Sequence, residues 1–66
     1  MYKVGDRLRG TGIRWLSIQI TLVEDTIIHG IIGWDYHPDM VKVRYTTEEL
    51  AQYFRPYTEL EKALYL

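Results

Sequence analysis

Residues 14–23 carry a strict period of two. Leu16, Ile18, Ile20 and Leu22 share one parity; Ser17, Gln19 and Thr21 share the other. Successive side chains of a strand point to opposite faces, so the segment predicts a strand with one apolar and one wet face. Such a strand needs neighbours, because backbone N–H and C=O groups beside a buried face require partners. The rest of the chain supplies them.

Glu24-Asp25 makes a tight polar turn, and Thr26 opens a return strand over residues 26–34. Both parities of that strand carry isoleucine: Ile28, Ile32 and Trp34 on one, Ile27, His29 and Ile31 on the other. This predicts a central strand covered on both faces. Gly30 and Gly33 inside it predict a bulge or a sharp bend. His37-Pro38-Asp39-Met40 reads as a type I turn, with proline where its fixed φ suits. Residues 40–45 alternate again, with Val41, Val43 and Tyr45 inward and Lys42 and Arg44 outward. At the front, Val4-Gly5-Asp6 reads as a turn into a short strand. Leu8 is its inward residue, Arg7 and Arg9 face water, and Gly10-Thr11-Gly12 follows as a flexible loop.

Thr46 with Glu49 has capping-box spacing and predicts a helix start. Leu50, Tyr53 and Phe54 fall on one face of that helix, and Pro56 ends it. Thr58 and Glu61 repeat the spacing, and Leu60, Ala63 and Leu64 form a second short apolar stripe. The expected fold is mainly β, with four antiparallel strands and then one or two short C-terminal helices. One small domain would span residues 1–66, its sheet strongly bent or curled into a small barrel.

The pattern resembles the SH3-like small barrels over roughly residues 4 to 50. Val4-Gly5-Asp6 with Leu8, Gly30 in the third strand, Val41-x-Val43-x-Tyr45 in the fourth and the capped turn at Thr46 carry the likeness. It departs from the peptide-binding SH3 pattern: no acidic loop pairs with an aromatic groove in the expected order, and the helical tail is extra. What the resemblance implies is the tendency of such barrels to be binding modules for proteins or nucleic acids; recognition of proline-rich ligands is not carried over.

Composition narrows the function classes. With 66 residues and no cysteine, neither disulfides nor thiolate metal sites can staple the fold, so packing or a partner must supply stability. Apolar runs of a few residues are far short of the roughly 20 needed to cross a bilayer. No basic-then-apolar leader opens the chain, since Asp6, Arg7 and Arg9 follow at once, so a cytoplasmic location is expected. The net charge of −1 weighs against a strong hold on nucleic acid.

Catalysis and cofactors are not expected. Ser17, the lone serine, sits mid-strand without a glycine-rich elbow. Asp35, His37 and Asp39, with His29 nearby, have metal-capable side chains, but Pro38 breaks the extension that would align them. Gly30-Ile31-Ile32-Gly33 lacks the helical flanks and polar interior of a nucleic-acid clamp. The aromatic load is the stronger signal. A core this small cannot enclose Tyr2, Trp15, Trp34, Tyr36, Tyr45, Tyr53, Phe54, Tyr57 and Tyr65 together. Exposed Trp and Tyr dominate protein interfaces, so Trp15, Trp34, Asp35, Tyr36, Tyr53 and Tyr57, with the tail helix, are the expected contact residues for a protein partner or a second copy. The alternative is a basic, aromatic sheet face of Arg7, Arg9, Arg14, Lys42 and Arg44 beside Trp15 and Gln19, which would take single-stranded nucleic acid.

Overall fold

A computed structural model describes residues 2–12, 16–34 and 41–66. The elements in chain order are β1 (Arg7–Gly10), β2 (Leu16–Glu24), β3 (Ile27–Trp34), β4 (Val41–Thr46), α1 (Thr47–Tyr53), β5 (Phe54–Pro56) and α2 (Glu59–Tyr65). The strands form one antiparallel sheet in the order β4-β3-β2-β1-β5. The chain is thus mainly β with short helices. β4 and β5 lie at opposite ends of the order without pairing, so the sheet stays open and does not close into a barrel.

Local chemistry sets most of these boundaries. Gly5 has φ +94°, a left-handed conformation that glycine adopts without a Cβ penalty. Its turn is locked to the sheet: Gly5 N donates to Ile20 O at 2.8 Å, and Ile20 N donates to Asp6 O at 2.9 Å. Asp25, at φ 46°, closes the β2–β3 turn in the left-handed region that aspartate tolerates. Both predicted capping boxes form. Thr46 Oγ1 accepts from Glu49 N at 3.1 Å while Thr46 N donates to Glu49 Oε1 at 3.0 Å; Thr58 and Glu61 repeat the pair at 3.1 and 3.0 Å.

The core lies on one face of the sheet under α1. Leu8, Ile18, Ile20, Ile28, Leu50 and Phe54 are buried together, with Tyr2, Leu16, Ile32, Val43 and Tyr45 packed at its edge. Leu50 is the residue through which α1 enters it. Each of these large side chains contributes about 1.5–3 kcal/mol relative to exposure.

Three expectations change. A fifth strand exists where the first helix was expected to run into Pro56: α1 stops at Tyr53, and Phe54–Pro56 pairs with β1, Gly10 opposite Phe54 and Leu8 opposite Pro56. Three residues ending in proline show no alternation; the free edge of β1 makes them a strand. The irregularity expected at Gly30 sits across from it instead. Ile20 pairs with Gly30 but Leu22 pairs with His29, so Thr21 is an extra residue in β2. One inserted residue flips everything after it to the other face. Leu22, expected inward, is therefore exposed, and Val23 moves to the side of Ile28. Gly30 has its own reason: a Cβ there would lie 2.7 Å from Ile18 Cγ1 and Cδ1 and 2.9 Å from Gln19 O. Finally, Val41 of β4, expected inward, is exposed.

Candidate functional site

The sheet face away from the core is built by register. Arg7, Gln19, Ile31 and Lys42 stand in one cross-strand row. Leu22, His29 and Arg44 stand in the next. At the β1–β5 end, Arg9 lies opposite Ser17 and Arg55. Arg7, Gln19, Lys42 and Arg44 are exposed, as the sequence pattern expects. His29 is half-buried, its Nε2 paired with Glu24 Oε1.

Arg9 departs from that pattern. It is only 4% exposed, although it was expected to face water beside Arg7. Burying a guanidinium requires paired charge and satisfied hydrogen bonds. α2 supplies the opposing charge: Arg9 Nε lies 3.0 Å from Glu61 Oε2, and the Arg9 Cζ sits 4.4 Å from the Tyr65 ring centroid and 5.6 Å from that of Tyr57. Glu61 also accepts a two-pronged pair from Arg55, Nη1 to Oε1 at 2.7 Å and Nη2 to Oε2 at 2.9 Å. Such fork-on-carboxylate pairs are the strong, geometrically specific kind. The Arg55 hydrogen bond, then the Thr58 backbone N–H, lowers the Glu61 pKa from 4.5 to about 2. The same carboxylate raises the Arg55 pKa.

α2 therefore docks by its polar side. Glu61 and Tyr65, one turn apart, face the sheet. At about 100° per residue, the middle of the Leu60, Ala63 and Leu64 stripe falls roughly 130° around the helix from the middle of that side. They face solvent: Leu60 is 70% exposed, Leu64 65% and the following Leu66 56%. Among its described residues α2 buries none fully.

The expected partner-binding residues divide. Tyr57 is corrected: it was expected on the surface, but it is buried, and among the described residues its Oη has no hydrogen-bond partner. Trp34 and Tyr53 are exposed. Tyr53 belongs to an aromatic group, its ring 6.1 Å from that of Tyr45, which is 5.8 Å from Phe54. These rings border a recess of about 380 Å³ beside Gly10, Thr11 and Leu16. Trp15, Asp35, Tyr36 and, for the nucleic-acid alternative, Arg14 lie outside the described residues, as do His37 and Asp39 of the considered metal set. Among the described residues, no group of three or more His, Asp or Glu side chains is placed to hold a metal ion. No described helix is long and apolar enough to cross a membrane.

Sequence reasoning missed the Arg9–Glu61–Arg55 cluster. One trace existed: Glu61 was recognisable as a capping residue, and nothing local said that two arginines from β1 and β5 converge on it. No protein-family model, curated protein or solved structure matches the chain.

Proposed function

We propose that this chain is a non-enzymatic protein-interaction module whose contact surface is the outward face of α2. One observation carries the reading: an amphipathic helix is docked with its charged residue inward and its leucines in water. Leaving a leucine exposed forgoes roughly 1.5–3 kcal/mol of burial. A contiguous exposed apolar stripe of this kind marks an interaction site more often than an ordinary surface. The exposed Tyr53 and Trp34 are further contact residues of the same module.

β4 running from Val41-x-Val43-x-Tyr45 straight into a capped helix supports reading the fold as an opened relative of the SH3-like barrels, whose members are mostly binding modules. The stability of α2 on the sheet does not depend on its leucines, so the surface can be altered without unfolding the chain. The test is photo-crosslinking in extract of the source cells, with a benzophenone side chain at position 64 or at the exposed control position 48. A discrete adduct at 64 that is absent at 48, and lost in the Leu60→Glu/Leu64→Glu variant with an unchanged melting curve, is the expected result. Equal labelling at both positions, or none, overturns the proposal.

A further inference from the structure

The open edge of the sheet points to a second surface, independent of α2. The two edges are not equivalent. β5 is three residues long and ends in Pro56, which has no N–H to offer. β4 is six residues long, and among the described residues no strand pairs with its outer side. In an antiparallel edge strand, alternate residues aim N–H and C=O outward, where they template a further strand.

The side chains of β4 state what that strand must look like. Val41, Val43 and Tyr45 stand on the core face, with Val41 57% exposed. Lys42 and Arg44 stand on the other face, both exposed, and among the described residues neither joins an ion pair. A second copy is a poor occupant. Antiparallel self-pairing centred on β4 sets Lys42 against Arg44 of the other copy, or each cation against itself, and directly opposed like charges destabilise a strand pair. Opposed unlike charges do the reverse.

We infer that the free edge of β4 accepts an extended segment of another protein in which apolar and acidic residues alternate. Its backbone continues the sheet. Its apolar residues lie beside Val41, Val43 and Tyr45, and its carboxylates lie beside Lys42 and Arg44. Main-chain hydrogen bonds supply affinity, and the side-chain alternation supplies selectivity.

The probe is a fluorescein-labelled peptide of about eight residues alternating valine and glutamate, titrated against the full chain by fluorescence anisotropy. Three comparison probes accompany it: a peptide with lysine for glutamate, a peptide N-methylated at alternate positions along one edge, and a labelled single-stranded oligothymidylate. The acidic peptide is expected to bind below about 1 mM and roughly tenfold more tightly than the lysine peptide. The N-methylated peptide is expected to lose binding, because its charges remain but its edge cannot pair. The Lys42→Glu/Arg44→Glu variant should reverse the preference toward the lysine peptide, while Leu60→Glu/Leu64→Glu should leave it unchanged. No binding of the acidic peptide, or undiminished binding of the N-methylated one, overturns the inference. Tighter binding of the oligothymidylate, lost in the charge-reversed variant, overturns it in favour of a nucleic-acid face.

Discussion

Gly30→Ala is expected to destabilise the fold by about 2–3 kcal/mol. The added methyl would approach Ile18 Cγ1 and Cδ1 to 2.7 Å and Gln19 O to 2.9 Å. Overpacking of a filled core typically costs about 1–3 kcal/mol. The upper part of that range applies for two reasons. Ile18 is 0% exposed within the core cluster, and the Gln19 oxygen is backbone, fixed by the sheet. A chain of this length has a total stability of roughly 3–10 kcal/mol. Its unfolding entropy is near 140 cal/mol/K, so each kcal/mol moves Tm by about 7 °C. The variant should therefore melt about 15–20 °C lower, followed by far-UV circular dichroism and by urea titration of tryptophan fluorescence. Ile18→Ala alone should cost about 2–5 kcal/mol, because it opens a cavity in the core. In the double variant the new methyl occupies part of that cavity, so the combined loss should fall short of the sum by about 1 kcal/mol or more. A Gly30→Ala variant within about 0.5 kcal/mol of the parent, or two losses that simply add, would refute the close-approach reasoning.

Two further outcomes test the parts of the fold that shape its surfaces. Glu61 has a folded-state pKa of about 2 against an ordinary 4.5, a depressed carboxyl, so its contribution is present above pH 4.5 and is lost as pH falls toward 2. Glu61→Gln keeps a residue suited to the capping box but removes the charge; protease susceptibility of α2 should rise in the parent across that window and stay flat in the variant, and identical profiles would disprove the role given to the carboxylate. Leu22→Lys should change stability by no more than about 0.5 kcal/mol, because the extra residue at Thr21 turns Leu22 outward, whereas Ile20→Ala should cost about 2–5 kcal/mol in the same urea titration; equal losses would mean that β2 carries no register shift.

Periodicity and punctuation alone determined much of this protein. The alternation around Ile18 and Ile20 specified β2, glutamate three residues after a threonine specified both helix starts, and the Val4-Gly5-Asp6 turn announced β1. Each of these rests on neighbours a few residues apart, whose geometry is set by the dihedrals of a single element. The outward Lys42 and Arg44 were legible for the same reason. What only the tertiary structure decided depends on groups far apart in the chain. Phe54–Pro56 is a strand because β1 has a free edge, and Leu22 faces water because Thr21 is surplus opposite β3. Arg9 is buried because Glu61, more than fifty residues on, neutralises it; that same pairing turns α2 around and presents Leu60 and Leu64 to solvent. An alternating pattern reports which residues share a face. It cannot report what comes to cover that face, because that is settled by charges and strand edges that meet only when the sheet is assembled.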